Sequence, residues 1–385
     1  MTTEQPSDIE KPAKILVVYG TRPELIKLAP VIFSLRSRQQ DFSVTVCSTA
    51  QHKEMLEQVE DLFGIESDIN LSLMRENQRL NDLSSRVLVS MDRVLRETSP
   101  DWAIVQGDTT TVMATALSAF QLGVRIGHVE AGLRTGDLKA PFPEEGNRRI
   151  ADALSDLHFA PTLKAQQNLL AEGCDASSVF LTGNTVIDSL LWISESQSPE
   201  PSAEEVLITV HRRESFGQPI LDIFTAIGKL ADQFPLVTWI YPVHRNPNVF
   251  RPAHDHLGGR SNVILCDPLP YSDLVRHMRR ARIVLTDSGG IQEEAPTFSK
   301  PVIVLREKTE RPEGVEAGVA RLVGTDPASI IEQVSLLLTD ESQYRRMALG
   351  VNPYGDGKAA DRIVDILAGK KVAAFDFRNQ SPGKP

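Results

Sequence analysis

Short apolar runs rich in β-branched residues alternate along nearly the whole chain with longer amphipathic stretches. Ile15–Val18 reads as a buried strand, and a helix is expected from about Pro23. Phe42–Cys47, Trp102–Val105 and Val124–His128 read as further strands, with helical spacing over Arg79–Arg96 and Thr110–Gln121 between them. Continuous apolar strands separated by helices predict parallel sheets covered on both faces. The segment Ser194–Glu205, rich in serine and proline, interrupts the rhythm and reads as a solvated linker or a long loop. The alternation restarts with strands at Val206–Val210, Leu236–Tyr241, Val263–Leu265, Arg282–Thr286 and Pro301–Leu305. Helices are expected over Ile220–Gln233, Ile330–Leu338 and Ala359–Leu367. The pattern therefore predicts an α/β fold of two Rossmann-like, doubly wound parallel-sheet domains facing a central cleft. Strand C-termini, and any ligand, would line that cleft.

Length agrees with this division, because 385 residues exceed one comfortable core. Acids outnumber bases 51 to 41, a net charge of −10. That field repels nucleic acid and anionic membranes, though it leaves room for a local anion pocket. The three cysteines, Cys47, Cys174 and Cys266, form no CxxC pair, which argues against a disulfide framework and fits a reducing compartment. Met1–Lys14 lacks the basic start and apolar core of a signal peptide and reads as a disordered tail, as does Asn379–Pro385. No apolar run reaches the ~18–20 residues of a membrane span. The expected location is the cytoplasm.

Chemistry concentrates in loops that follow the strands. In Tyr19-Gly20-Thr21-Arg22-Pro23-Glu24, Gly20 permits a tight turn and Pro23 suits the first helical position. Arg22 is then at a helix N-terminus where anions bind, with Lys27 a turn further on, or else it is a surface residue at a plain helix entry. The segment is neither GxGxxG nor a P-loop, which counts against a bound dinucleotide and an ATPase site. Asp108, in Gln106-Gly107-Asp108-Thr109, is either a helix N-cap or a catalytic carboxylate. Glu130 follows the strand Val124–His128 at the same sheet edge. The Gly- and Pro-rich loop beyond it returns Glu144 and Arg148 to that edge. Three acids on one rim, Asp108, Glu130 and Glu144, would supply a proton acceptor and a donor. A metal site is the rival reading, but no paired histidines accompany it. Solvated loop acids are the bland one.

In the second half, His211 follows a strand with Arg212 and Arg213 beside it, suited to phosphate contact or proton transfer. His244 repeats the strand-then-histidine arrangement. Ser288-Gly289-Gly290 opens a helix with bare N–H groups, a ready diphosphate cradle, or is simply a capped helix start. Glu294 falls about one turn past Gly290, where it could accept ribose hydroxyls, and Arg311 is on a neighbouring loop.

Together these segments resemble the non-hydrolysing UDP-N-acetylglucosamine 2-epimerase family. The strings GTRPELIKLAPVI, QGDTTT, HVEAGLRTGD, PFPEEGNR, GNTVID, VHRRESFG, YPVHRNPNV, TDSGGIQEEAP and TERPEGVEAG carry the resemblance, over roughly Lys14 to Leu367. It implies a GT-B-like pair of Rossmann domains (14–185 and 186–352) between tails 1–13 and 371–385. A last helix, within 353–370, returns to the first domain, and the protein is a homodimer without cofactor or metal. The implied reaction interconverts UDP-N-acetylglucosamine and UDP-N-acetylmannosamine by anti elimination of UDP to 2-acetamidoglucal and re-addition, supplying units for surface polysaccharide. By match, Asp108, Glu130 and Glu144 are the acid/base set and His211 serves the leaving UDP. Arg22, Lys27 and Arg148 line the sugar site. Ser288, Gly289, Gly290 and Arg311 hold the nucleotide, with Glu294 on its ribose and His244 near the substrate. A second, allosteric UDP-N-acetylglucosamine would use Gln51, His52, Gln78 and Arg212, with His244 beside them. Asn77 and Glu54 depart from that pattern and weigh against activation. The alternatives are an epimerase of a UDP-diacetamido-uronic acid, a GT-B glycosyltransferase, or a nucleotide-sugar sensor on the same fold.

Overall fold

Seven parallel strands build the first sheet: β1 (Ala13–Tyr19), β2 (Phe42–Ser48), β3 (Ile69–Asn70), β4 (Trp102–Gln106), β5 (Arg125–Val129), β6 (Leu157–Ala160) and β7 (Val179–Leu181). The computed structural model describes residues 11–49, 53–73, 75, 78–198 and 203–379. The strand order is β3-β2-β1-β4-β5-β6-β7, so the winding direction reverses between β1 and β4. Chain segments up to Thr185, together with Lys358–Ala374, form this unit. Its core sets Leu16 and Val18 against Val87 and Met91 of the helix Leu80–Thr98 and Val112 and Ala116 of the helix Thr110–Gln121. Both faces of β1 are covered, which is why Ile15–Tyr19 is apolar without alternation.

The second unit, Val186–Gly357 with the segment from Phe375, repeats the plan. Its strands are β8 (Glu205–Thr209), β9 (Thr238–Pro242), β10 (Val263–Cys266), β11 (Ile283–Thr286), β12 (Val302–Val304) and β13 (Ala320–Leu322). They are all parallel in the order β10-β9-β8-β11-β12-β13, reversing between β8 and β11. Val206 and Ile208 pack on Phe224 and Ile227 of the helix Gln218–Gln233. Leu207 and Val284 pack on Met278 and Ile291 on the other side. In such sheets the crevice at the carboxyl ends, where the order reverses, is where ligands bind. That rule singles out the loops after β1 and β4 in one unit and after β8 and β11 in the other.

The late helix Ala359–Leu367 belongs to the first unit. Asp361 accepts from Ser34 Oγ at 2.7 Å, Asp365 pairs with Arg38 at 2.5 Å, and Arg362 donates to the Thr182 carbonyl at 3.0 Å. Several boundaries differ from expectation. Ala13 and Lys14, expected in the tail, pair with Phe42 and Ser43 in the sheet. The C-terminal segment carries a short helical turn at Phe377–Asn379, with Phe375 buried, while 1–10 and 380–385 of the expected tails lie outside the described residues. Leu236, expected in a strand, is 92% exposed in the turn before β9. In the serine- and proline-rich stretch a helix, Thr185–Ser196, runs on, and residues 199–202 lie outside those described. No helix among the described residues is long and apolar enough to cross a membrane.

Candidate active site

The first unit brings two of its expected acids into ion pairs, Asp108 with Arg148 and Glu130 with Lys27. Gly107, directly after β4, takes φ of +81°, a turn most residues resist. Asp108 follows it and pairs with Arg148 of the helix Glu144–Leu154. The Arg148 guanidinium also reaches Glu145 at 3.2 Å, while its Nε is buried and has no acceptor among the described residues. Glu145 is fully buried and accepts from Thr135 N, Gly136 N and Arg149 as well, tying the Gly-rich loop to the helix. The two readings of Asp108 are decided by its neighbour: Thr109 caps the following helix, accepting from Val112 N at 3.3 Å. Asp108 is therefore free of the capping role.

Glu130 directly follows β5 with φ of +64°, a left-handed conformation uncommon for a residue with a side chain and concentrated at functional sites. Its carboxylate accepts from Lys27 Nζ at 2.5 Å, from Asn184 Nδ2 at 3.1 Å and from Gln106 Nε2. Three donors on a nearly buried carboxylate hold both oxygens in place. Glu144 opens the helix that carries Arg148, one turn before it, half-buried and without a partner among the described residues. Arg22 is the first residue of its helix, with Pro23 second, and its side chain is likewise unpaired. Beneath it the buried Glu24 accepts from Gly20 N at 3.1 Å and Thr109 Oγ1 at 2.8 Å, linking the loops after β1 and β4. Burial pushes the Glu24 carboxyl up to about 7.

The second unit gathers histidines, arginines and their carboxylate partners at its own switch point. Asp287, buried after β11, accepts from the backbone N–H groups of His211 and Arg212 at 3.0 and 2.8 Å, fixing the loop after β8. Burial raises its carboxyl despite those donors. The His211 ring lies 3.9 Å from Asp287 and stacks on His244, with centroids 5.6 Å apart. Desolvation, with help from His244 and Arg212, lowers the His211 pKa. Ser288 precedes the short helix Gly289–Glu294 and does not cap it with its side chain. A Cβ at Gly289 would meet Glu310 at 3.1 Å, Arg212 at 3.4 Å and Arg311 at 3.8 Å, so three charged groups close on that one peptide. Burial works against ionisation of Glu310, but Arg311, Arg306 and Arg212 hold it at about 2. Arg311 also pairs with Glu293, and Glu294 accepts from Tyr271 OH at 3.1 Å.

Arg212 thus stands with the residues expected to hold nucleotide. Gln78 accepts from Arg86, whereas Gln51 and His52 lie outside the described residues. Gln106, Asn184, Glu24 and Asp287 escaped sequence reasoning. The first two are neutral amides inside quoted motifs, and nothing in a linear string marks an amide as a carboxylate's partner. Among the described residues, no group of three or more His, Cys, Asp or Glu side chains could hold a metal ion.

Two parallel α/β units, with acids at one switch point and a glycine turn flanked by Arg212, Arg311 and Glu310 at the other, have a GT-B-like enzyme architecture. The family model for UDP-N-acetylglucosamine 2-epimerase matches residues 35–368. The protein named UDP-N-acetylglucosamine 2-epimerase in Escherichia coli K12 is 46% identical over 375 residues, spanning 94% of this chain and 100% of that one. Its Bacillus subtilis 168 namesake is 45% identical, spanning 97% and 98%. The crystal structure of UDP-GlcNAc 2-epimerase from Neisseria meningitidis, bound to UDP-GlcNAc, superposes with a TM-score of 0.86 at 43% identity, covering 93% and 100%. The chain belongs to the UDP-N-acetylglucosamine 2-epimerase family.

Proposed function

We propose that this protein interconverts UDP-N-acetylglucosamine and UDP-N-acetylmannosamine without cofactor. A carboxylate takes the C2 proton, the C1–O bond breaks, and UDP departs to leave 2-acetamidoglucal. UDP then re-adds at C1, and C2 receives a proton on its opposite face. Asp108, Glu130 and Glu144 form the acid/base set, and general acid–base help of this kind is worth ~10²–10⁴-fold. Arg148, Lys27 and Arg22 bind and orient the sugar end. His211 serves the departing diphosphate, as a ring largely neutral near pH 7, with His244 stacked against it. Ser288, Gly289, Gly290 and Arg311 hold the UDP, and Glu294 holds its ribose. Electrostatic stabilisation of the leaving group is the other large contribution the elimination needs. The protein works as a cytoplasmic homodimer. Arg212 serves the nucleotide here, leaving Gln78 with Gln51 and His52 as the set for a second UDP-N-acetylglucosamine.

The observation that carries this reading is Glu130: a carboxylate held by three donors in a left-handed turn at a strand end, beside an Asp108 that caps nothing. The test is to incubate the protein with UDP-N-acetylglucosamine alone in D₂O. Deuterium at C2 and a mixed sugar pool are expected. Unchanged starting material points to a transferase or sensor, and free UDP with N-acetylmannosamine to a hydrolysing enzyme; either result overturns the proposal.

A further inference from the structure

The His128 ring is wholly buried and faces an acceptor at each nitrogen. Nδ1 lies 2.6 Å from Asp152 Oδ1, and Nε2 lies 2.7 Å from the Gly107 carbonyl oxygen. A carbonyl carries no proton, so Nε2 must donate. Asp152 already accepts at its other oxygen from Arg134 Nη2 (2.8 Å) and Gly132 N (3.3 Å), the pattern of an ionised carboxylate. Nδ1 therefore donates too, and only an imidazolium carries both hydrogens. Burial opposes that charge, but Asp152 and the Gly107 carbonyl outweigh it and raise the ring's pKa.

The surrounding charges balance. Arg134 pairs with Glu172 at 2.6 Å, so His128 and Arg134 face Asp152 and Glu172. His158, opposite His128 on β6, contacts the Asp152 carbonyl at 2.8 Å and has the Cys174 sulfur at 3.8 Å. Asp108 and Arg148 lie beyond Gly107. The backbone at Gly107 is gripped twice, since its N–H donates to the Val129 carbonyl at 3.0 Å while its own carbonyl receives His128. The next residue is Asp108.

We propose that His128 is a positioning residue: its buried imidazolium, braced by Asp152, clamps the Gly107 carbonyl and so fixes the turn that presents Asp108. The inference rests on the assignment of Asp108 to the acid/base set. His128 does not touch substrate; it acts through the peptide it holds, and a 1 Å misplacement at such a site can cost ~10²-fold in rate.

Two isosteres separate the nitrogens. His128→Gln can place an amide N–H near Nε2 and keep the Gly107 bond, whereas His128→Asn reaches only as far as Nδ1 and loses it. In the epimerisation assay, H128Q is expected to hold kcat within ~10-fold of the parent, and H128N to lose ~10²-fold, with KM nearly unchanged in both. Equal kcat in the two variants overturns the proposal. If H128N does not fold, a ~10²-fold loss in H128Q does the same. A second readout needs no turnover: ring-nitrogen NMR of the histidine-labelled parent should show an imidazole still protonated on both nitrogens above the ordinary histidine pKa, and H128Q should lack it. A neutral ring at that position overturns the proposal. A parent protein that leaves UDP-N-acetylglucosamine unchanged sinks the proposed activity instead, and the nitrogen spectrum still decides the state of His128.

Discussion

Lys27 and Glu130, 103 residues apart, meet at 2.5 Å across the end of β4. One comes from the helix after β1 and the other from the turn after β5, and β4 lies between those strands in the sheet. The doubly wound order brings a helix and a distant turn into one ion pair, and the amides of Gln106 and Asn184 add to the carboxylate's shell. Charge removed from either side of this pair has a different consequence.

Lys27→Met leaves Glu130 charged and nearly buried without its ammonium partner, while Gln106 and Asn184 still donate to it. Breaking a buried pair in this way costs about 3–5 kcal/mol, and urea unfolding should register a loss near the lower end. Glu130→Gln strands the Lys27 ammonium instead, but that side chain is the more exposed of the two and an amide oxygen can still accept from it, so stability should suffer less while turnover falls by ~10²-fold or more. Near-parental rates in E130Q would take Glu130 out of the acid/base set.

What the sequence made legible follows from burial on both faces. Strands such as Ile15–Val18 and the helix Thr110–Gln121 stand out because two-sided burial and helical spacing leave long signatures. Ile69–Asn70, Val179–Leu181 and Ala320–Leu322 do not, since two or three residues carry no period. The chemistry-bearing loops were legible because parallel strands deliver their carboxyl ends to one side. Their partners were not. Asn184 and Asp152 reach Glu130 and His128 through sheet order, and the capping role that Asp108 could have filled depends on a one-residue offset in favour of Thr109.

Arg148 holds Asp108 and Glu145 with separate nitrogens of one planar fork. A lysine presents a point charge and cannot span both. Arg148→Lys should therefore keep the fold and lose ~10-fold or more in kcat/KM, about 1.4 kcal/mol of transition-state binding. Titrating the variant with UDP alone should give nearly parental affinity, because Arg148 is assigned to the sugar end. A matching loss of UDP affinity would contradict that assignment.

Gly132 has φ of +87°, and a Cβ there would be 2.3 Å from the Ala165 carbonyl oxygen and 2.8 Å from Leu169. The left-handed backbone costs an ordinary residue about 1–2 kcal/mol, and overpacking adds about 1–3 kcal/mol. Gly132→Ala is expected to destabilise by about 2–5 kcal/mol in denaturant unfolding. Gly136 has φ of +83° with open space around it, so Gly136→Ala meets only the backbone penalty. Equal losses in the two variants would show that the close approach to Ala165 is not maintained.

Glu24 connects the loop that carries Arg22 to the one that carries Asp108, and burial lifts its carboxyl from 4.5 to about 7 against the pull of its hydrogen bonds. Between those values the folded chain keeps a proton that the unfolded chain has released. Linkage then makes stability fall as pH rises from 4.5 towards 7 and level off above it. At 1.36 kcal/mol per unit the loss is about 3 kcal/mol. Glu24→Gln has no such proton to lose. Its amide can still accept from Gly20 N and donate to Thr109 Oγ1. Unfolding free energies of both proteins, measured from about pH 5 to pH 8, should therefore diverge, the variant gaining on the parent by about 3 kcal/mol across that window. Parallel pH curves would mean that Glu24 is already ionised in the folded protein at pH 5 and that its bonds to Gly20 and Thr109 outweigh the burial.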